Sequence, residues 1–215
     1  MWWLVEHMGD DDVVIVAVEG LSAAGKTTWC RRHAVDFVAE YVPTGTEPDG
    51  TDLAAQAAYW VAINSQRWDN ARRLEQQTGL AVCDSDPLKL HYSWCLSRIG
   101  AAPPERFALE LAQVRRAFAA GTLGLADLVL VSIPSLETLQ RQRNADPTRR
   151  RRHFDLHSQL GEHLRTWYAG VDALDPGRVI WELPAEGLPA DVPQPRDQRS
   201  DITLLDALTA WLPPA

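Results

Sequence analysis

The sequence predicts an α/β fold: a parallel sheet flanked by helices on both faces, in a single domain that spans residues 1–215. Residues 13–18 form a short β-branched run without polar alternation, as expected for a strand that is buried on both faces. Apolar runs of this kind alternate with longer helical segments, which is typical of parallel strands joined by helical crossovers. A glycine-rich turn, GLSAAGKTT, joins the first predicted strand to the first predicted helix. No internal repeat or second domain is indicated.

The predicted elements begin and end where apolar patterns meet Pro, Gly and polar residues. Strands are expected at 13–18, 80–84, 125–133 and 178–183. The first helix is expected from Lys26 to about Tyr41, and the later helices at 53–77, 88–99, 104–120, 135–143, 153–174 and 201–212. Segments 42–52 and 184–200 are expected to be loops, because Pro, Gly and polar residues dominate them.

Charge and composition exclude several classes of protein. The net charge of −8 argues against a protein that binds nucleic acid through its phosphates. No apolar run approaches the roughly 20 residues of a membrane span, and the N-terminal segment has no basic leader, so a cytoplasmic location is expected. The three cysteines lack metal-ligand spacing, which predicts reduced, mostly buried thiols and no transition metal. Residues 141–152 hold six arginines and one acid, which indicates a local anionic ligand.

The turn after the first strand has the spacing of a phosphate-binding loop. Gly20 and Gly25 bracket four residues, and Lys26 and Thr27 follow directly, which completes the Walker A pattern. Glycines let the backbone N–H groups wrap a phosphate, the lysine binds the β- and γ-phosphates, and the threonine hydroxyl can ligate Mg²⁺. The helix that follows adds its positive N-terminal end. The predicted ligands are therefore ATP and Mg²⁺, and the expected nucleotide-binding residues are Gly20, Ser22, Ala23, Ala24, Gly25, Lys26, Thr27 and Thr28.

Further stretches carry a resemblance to known kinases. Residues 46–51 are T-E-P-D-G-T, residues 84–86 are D-S-D with Tyr92 a short distance behind, and residues 126–143 are ADLVLVSIPSLETLQRQR. With these stretches, most of the chain resembles the thymidylate kinase and deoxynucleoside kinase group of P-loop kinases. The resemblance implies a P-loop NTPase fold with an arginine-rich lid at about 140–157.

Arginines of that lid are the expected source of positive charge during phosphoryl transfer. The transferring oxygens need cations, and arginines on a closing segment supply them within the same chain. Arg143 and Arg149 are favoured for this catalytic role. The alternative for the other arginines of the run is a solvated surface.

Two departures from the resembled kinases predict the class of acceptor. In the nucleotide kinases of this group, arginines that hold the acceptor phosphate stand where this chain has Thr46 and Ser85. The same neighbourhood offers the carboxylates of Glu47, Asp84 and Asp86 instead. Each lost charge-assisted hydrogen bond is worth about 1.5 to 3 kcal/mol, so a phosphomonoester is disfavoured. The expected acceptor is unphosphorylated: a nucleoside, a polyol or an amine-bearing compound.

The candidate catalytic carboxylate is Asp84. It ends a predicted parallel strand beside the glycine turn, where ligands bind in open α/β sheets. It could accept the proton of the acceptor hydroxyl or act as a partner of Mg²⁺, and both roles stay open. Asp86 is a second candidate for either role and for substrate binding, with a helix N-cap before Pro87 as the alternative.

The helix at 53–77 corresponds to the one that forms the nucleobase pocket in the resembled kinases. The resemblance implies that Trp60 stacks on a ring and that Asn64 or Arg67 hydrogen-bonds its edge, with Trp60 as a core residue in the alternative. Glu47 is a further expected contact of the acceptor.

The leading hypothesis is an ATP-dependent kinase that phosphorylates a hydroxyl of a nucleoside-like or other unphosphorylated small molecule. The alternatives are a thymidylate-type nucleoside monophosphate kinase, an antibiotic or natural-product phosphotransferase, a P-loop ATPase switch and a non-catalytic binding module. The expected partner is the small-molecule acceptor, with neither nucleic acid nor membrane, and a homodimer is left open.

Overall fold

A four-stranded parallel sheet forms the centre of the fold in the computed structural model, which describes residues 13–145, 154–189 and 195–215. The strands, in chain order, are β1 (Val14–Gly20), β2 (Leu80–Asp84), β3 (Leu128–Ser132) and β4 (Val179–Trp181). Their order in the sheet is β2-β1-β3-β4, and each neighbouring pair is parallel. The predicted α/β fold with a parallel sheet is confirmed.

The register brings the carboxyl ends of three strands to one edge. Val18 pairs with Asp84 of β2, and Gly20 pairs with Ser132 of β3. β2 lies on one side of β1 in the sheet, and β3, the next strand along the chain, lies on the other side. The loop after β1 therefore lies at a topological switch point. Open α/β sheets bind their ligands at such a point.

Eight helices occur in the described residues. They are α1 (Lys26–His33), α2 (Leu53–Thr78), α3 (Leu90–Arg98), α4 (Pro104–Ala119), α5 (Leu136–Ala145), α6 (Phe154–His157), α7 (Gly161–Leu174) and α8 (Ile202–Trp211). A 3₁₀ turn over Ser158–Leu160 links α6 to α7. No helix in the described ranges is long and apolar enough to cross a membrane.

The two faces of the sheet are buried by different helices. Ile15 and Ala17 belong to the larger apolar cluster, which includes one tryptophan from each of three helices: Trp68 of α2, Trp94 of α3 and Trp167 of α7. Val16 and Val18 face the other way and pack with Trp29 of α1. Because side chains alternate along a strand, the unbroken apolar run of β1 reflects burial on both faces. The predicted arrangement of helices on both faces is confirmed.

The first helix is shorter than predicted. It ends at His33 rather than near Tyr41, and Ala34 is already extended, with φ −120° and ψ 140°. Val38 then bridges to Cys83 of β2: its N–H donates to Val82 O, and its carbonyl accepts from Asp84 N–H, both at 2.8 Å. The open edge of β2 offers this segment hydrogen bonds in the sheet, and these tertiary contacts override its helical pattern.

The predicted helix at 153–174 is divided into α6, the 3₁₀ turn and α7. The other predicted helices and strands occur within about three residues of their expected bounds, and the third and fourth strands are shorter than predicted at both ends.

Candidate active site

The loop between β1 and α1 has the backbone conformation that its glycines permit. Gly20 has φ +153°, and a Cβ at this position would lie 2.2 Å from the carbonyl oxygen of Ser132. Gly25 has φ +88°, and a Cβ there would meet no atom within 4 Å. Ala23 also adopts a positive φ, of 71°, which is uncommon for a residue with a side chain. The loop therefore has a tightly packed start at Gly20 and an open side at Gly25, which suits the close approach of a phosphate.

Lys26 is held against this loop. Its side chain is buried, and Nζ donates to the carbonyl oxygens of Gly20, at 2.8 Å, and Leu21, at 3.3 Å. Lys26 is the first residue of α1, so its ammonium lies where the helix N-terminus adds positive charge. This arrangement places a cation on the loop that the sequence predicts to bind phosphates.

The next residue connects the loop to the end of β2. The Thr27 hydroxyl donates to Oδ2 of Asp84 at 2.6 Å, and the Asp84 side chain is buried. Hydroxyl and carboxylate oxygens are hard ligands of the kind that Mg²⁺ prefers, and Mg²⁺ is usually held by one or two such groups together with substrate phosphates. The described part of the chain contains no group of three or more His, Cys, Asp or Glu that could hold a metal by themselves. The residues present fit a magnesium ion that arrives with a nucleotide.

A large cavity opens beside the loop. Its volume is about 1460 Å³, above the roughly 300–1,000 Å³ of a typical small-molecule pocket, so two small molecules can share it. The phosphate-binding loop lines one part, and segment 40–47 together with side chains from α3, α5 and the α6–α7 region lines the rest. The predicted nucleotide site therefore opens into a cavity that extends beyond the phosphate-binding loop.

Glu19 and Lys89 form an ion pair in this cavity that the sequence analysis missed. Lys89 Nζ lies 2.7 Å from Oε2 of Glu19, and Glu19 is 2% exposed. Burial alone would raise the pKa of Glu19, but the positive charges of Lys89 and Lys26 outweigh it and hold the pKa far below its ordinary value. The one available signal was an acidic residue at the end of the apolar strand VIVAVEG, directly before the loop.

Asp86 lies inside the protein and does not line the cavity. Its Oδ1 accepts from the Leu88 N–H at 2.9 Å, and its Oδ2 accepts from the Tyr168 hydroxyl at 2.8 Å. Burial, followed by the nearby charge of Glu19, raises the pKa of Asp86 to about 6. These contacts stabilise the turn that leads into α3, and the substrate contact suggested for Asp86 stays a prediction.

The predicted base-binding residues of α2 do not line the cavity either. The Arg67 guanidinium donates to the backbone oxygens of Asp84 and Ser85, at 2.8 and 2.7 Å, and through Nε to that of Ala39 at 3.2 Å. Asn64 is buried, and the half-buried Trp60 packs edge-on against the rings of Tyr41 and Tyr59. Arg67 thus ties the chain around Ala39 to the end of β2, and the base contacts of these residues stay predictions.

Glu47 lines the cavity and holds the loop that follows Tyr41. Its carboxylate accepts from the Tyr41 hydroxyl at 2.6 Å and from the backbone N–H groups of Thr44 and Gly45. These hydrogen bonds, with Tyr41 first, lower the pKa of Glu47 to about 2. The carboxylate is therefore ionised and fixes the shape of this wall of the cavity.

The predicted lid is described only at its two ends. Arg143 lies 4.5 Å above the ring of Phe154 and 3.6 Å from the carboxylate of Asp155, and it does not line the cavity. Arg149 and its neighbours at 146–153 lie outside the described residues, so the arginine-rich lid and the roles of both arginines stay predictions. On the cavity side, the Tyr92 hydroxyl and His157 Nε2 share a hydrogen bond of 2.9 Å that joins α3 to α6.

The parallel sheet, the glycine-rich loop at its switch point and the Thr27–Asp84 contact define a P-loop α/β fold. No family model matches the sequence, and no curated protein matches it.

Solved structures do match. Deoxyadenosine kinase from M. mycoides with the products dCMP and dCDP bound is 11% identical, with a TM-score of 0.54, over 91% of this chain and 95% of that one. The same kinase with bound dCTP is also 11% identical, with a TM-score of 0.54 over 91% and 99% of the two chains. The same kinase with bound dATP is 13% identical, with a TM-score of 0.50 over 90% of this chain and 98% of that one. The chain therefore has a deoxynucleoside kinase-like P-loop fold, which confirms the resemblance at the level of the fold.

Proposed function

We propose that this protein is an ATP- and Mg²⁺-dependent kinase that transfers the γ-phosphoryl group to a hydroxyl of an unphosphorylated, nucleoside-like acceptor. The observation that carries the proposal is the 2.6 Å hydrogen bond between Thr27 and Asp84, beside a large cavity that Thr27 and the loop-bound Lys26 line. A hydroxyl, a carboxylate and an ammonium at the end of parallel strands are the groups that hold the phosphates and Mg²⁺ of a nucleoside triphosphate.

The nucleotide is bound by the loop from Gly20 to Thr28. Its backbone N–H groups and the N-terminus of α1 bind the phosphates, and Lys26 binds the β- and γ-phosphate oxygens. Thr27 and Asp84 hold Mg²⁺, which would neutralise the charge of the phosphates. Because Oδ2 of Asp84 already accepts from Thr27, the metal-partner role is favoured over the role of general base that sequence left open.

Glu40 is the better candidate for the general base. Glu40 is half-buried and lines the cavity, whereas Asp84 is 2% exposed and does not line the cavity. In the proposed reaction the acceptor oxygen attacks the γ-phosphorus, an O–P bond forms, and the bond from that phosphorus to the β-phosphate oxygen breaks. The acceptor proton passes to the Glu40 carboxylate, and ADP leaves with the electron pair of the broken bond.

The charges of the side chains in and near the cavity favour an unphosphorylated acceptor. Thr46 is exposed in its loop, and the Ser85 hydroxyl donates to Glu19, so neither position supplies a cation for a second phosphate. Glu40 and Glu47 line the cavity and add negative charge. The solved structures with a similar fold are those of a deoxyadenosine kinase, and that protein's substrate class supports a nucleoside here.

The test is ADP formation with a panel of acceptors at one concentration of ATP and Mg²⁺. The panel contains the four deoxynucleosides, their 5′-monophosphates, neutral sugars and amino-polyols, and products are identified by mass spectrometry. The expected result is acceptor-dependent ADP release with a deoxynucleoside and a product that carries one added phosphoryl group. ADP release that no acceptor increases would contradict the proposal and favour an ATPase switch.

A further inference from the structure

Lys89 brings a second ammonium group to the cavity that Lys26 also lines. Both ammoniums are bound by consecutive residues: Oε2 of Glu19 accepts from Lys89 Nζ at 2.7 Å, and the carbonyl oxygen of Gly20 accepts from Lys26 Nζ at 2.8 Å. Both lysines line the cavity, and 26% of the Lys89 side chain is exposed to it or to solvent. The two positive charges therefore flank the start of the phosphate-binding loop.

Hydrogen bonds within the protein fix both oxygens of the Glu19 carboxylate. Its Oε1 accepts from the Gly20 N–H at 2.8 Å, and its Oε2 accepts from the Ser85 hydroxyl and the Asp86 N–H, each at 3.1 Å, as well as from Lys89. Glu19 is also buried and far more acidic than an ordinary glutamate. It is a fixed anion whose contacts hold Lys89 in place.

Lys89 itself keeps donor capacity. An ammonium has three N–H donors, and the one side-chain acceptor that Lys89 meets among the described residues is Glu19. Burial alone would lower the pKa of Lys89, but Glu19 and Glu40 raise it, so the group stays charged. The charge of Glu40, the candidate base, thus acts on Lys89 across the same cavity.

The other cations near this wall are engaged or lie elsewhere. Arg67 donates to backbone oxygens, and Arg143 lies over Phe154 outside the cavity. Arg31 and Arg32 also line the cavity, but they are exposed in the last turn of α1, at the opposite end of that helix from the phosphate-binding loop. Of the cations in the described residues, Lys89, just before α3, lines the cavity together with the loop and is acted on by the charge of Glu40.

We propose that Lys89 is a catalytic residue that donates hydrogen bonds to the γ-phosphoryl oxygens during their transfer to the acceptor, and that Glu19 positions it. This inference rests on the proposed function. Lys89 supplies, from α3, the positive charge that Ser85 does not supply from the end of β2. The bonds made and broken are those of the proposed kinase reaction, and Lys89 keeps its proton throughout.

The main test compares K89M and K89R with the wild-type protein. K89M keeps most of the apolar stem and removes the charge, and K89R restores a charge. Loss of one preorganised donor to a transition state lowers kcat by about 10²–10³-fold, and this is the expected effect of K89M, with the Kd for ATP within about threefold of wild type. K89R is expected to be at least about tenfold more active than K89M. A kcat for K89M within about threefold of wild type would overturn the proposal.

A double variant separates a catalytic from a structural role. K89M alone leaves the buried Glu19 without its cation, which could impair folding. E19Q/K89M removes both charges, and the proposal predicts that its kcat stays as low as that of K89M even where its melting temperature recovers. Recovery of kcat to near the wild-type value would show that Lys89 only neutralises Glu19, and would overturn the proposal. The matched control is R106M, which breaks the partly buried Arg106–Glu110 pair away from the cavity and is expected to lower the melting temperature without lowering kcat.

The basal hydrolysis of ATP, in which water replaces the acceptor, is measured for every variant. If the wild-type protein hydrolyses ATP but phosphorylates no acceptor, the proposed function fails, and the effect of K89M on hydrolysis still decides the role of Lys89. A K89M variant that hydrolyses ATP at the wild-type rate would contradict the Lys89 proposal in that case too.

Discussion

The Thr27 hydroxyl donates a 2.6 Å hydrogen bond to Oδ2 of Asp84, and the two residues are 57 positions apart in the chain. The contact exists because β1 and β2 are parallel neighbours, with Val18 registered against Asp84, so that the end of β2 lies beside the start of α1. It joins a residue that sequence places in the phosphate-binding loop to a carboxylate at the end of a different strand.

Asp84→Asn is expected to lower kcat by about 10²-fold or more and to raise the Mg²⁺ concentration needed for half-maximal activity. The amide is neutral and is a weaker partner for a hydrated cation than the carboxylate. Titration of activity with Mg²⁺ at saturating ATP measures both effects.

The matched pair of variants is at Thr27: Thr27→Ser keeps the hydroxyl, and Thr27→Val removes it. Only Thr27→Val should resemble Asp84→Asn. If ATP binding collapses in Asp84→Asn while turnover survives, Asp84 has a structural role.

Lys26→Ala is expected to abolish phosphoryl transfer in a protein that remains folded. The ammonium provides charge to the transition state, whereas its contacts in the protein are two loop carbonyls. Turnover is measured together with the circular dichroism spectrum and the melting temperature. Arg72→Ala, on the exposed surface of α2, is the control with ordinary activity. Turnover of Lys26→Ala within about tenfold of wild type would contradict the assignment of the loop.

The features that could be predicted from the sequence depend on residues close together in the chain, whereas the features that could not depend on contacts between distant residues. The phosphate-binding loop could be predicted because Gly20, Gly25 and Lys26 are contiguous in a pattern whose residue types follow from local backbone geometry. The end of α1 at His33 could not, because it depends on hydrogen bonds between Val38 and a strand more than forty residues away. The helix propensity of the segment after His33 carries no information about hydrogen bonds with a distant strand.

In the candidate site too, contacts between residues far apart in the chain could not be predicted from the sequence. The ion pair of Glu19 and Lys89 joins residues 70 positions apart, and each residue alone is an unremarkable charge next to an apolar segment. The resemblance to known kinases implied that Asn64 or Arg67 contacts a base, and sequence could not predict that the Arg67 guanidinium also donates to the carbonyl oxygens at the end of β2. Which charges meet across the fold depends on the sheet order, and that order is not encoded in any single segment.

Asp86→Asn is expected to change how stability depends on pH. Because folding raises the pKa of Asp86 to about 6, the folded state binds its proton more tightly, and this group's contribution to stability is lost as pH rises from about 4 to about 6. A shift of about two units corresponds to about 3 kcal/mol of stability lost by neutral pH. The variant lacks this loss, so its free energy of unfolding relative to wild type should rise over that range.

Urea unfolding at several pH values from about 4 to about 7 measures this difference. Asp69→Asn, an exposed residue of α2, is the control and should leave the pH dependence unchanged. A constant difference between Asp86→Asn and wild type across the range would contradict the buried, raised pKa.

The three cysteines are expected to react slowly with an aromatic disulfide reagent in the folded protein. Cys30, Cys83 and Cys95 are buried, and burial raises the pKa of each thiol to about 12, whereas the thiolate is the reactive form. Release of the coloured thiol is followed before and after unfolding in guanidinium chloride. All three thiols should react promptly once the chain is unfolded, and a fast-reacting thiol in the native protein would contradict the burial of that residue.

The acceptor is expected to be unphosphorylated, so a deoxynucleoside should exceed its own 5′-monophosphate in kcat/KM under matched ATP and Mg²⁺. Asp84 and Asp86 are engaged with Thr27 and Tyr168 and do not line the cavity, so the negative charge that an acceptor meets comes from Glu40 and Glu47. A phosphate dianion would carry two negative charges into the part of the cavity that these two carboxylates line, and like charges repel. Among the described residues, Lys89 lines the same cavity as these carboxylates, but it is paired with Glu19 and is assigned to the transferred phosphoryl group. If a monophosphate is the better substrate in wild type, this inference from Thr46 and Ser85 is wrong, and the K89M variant then identifies the cause. A loss confined to the KM for the monophosphate would mean that Lys89 binds the acceptor phosphate, in place of the arginines that those two positions lack.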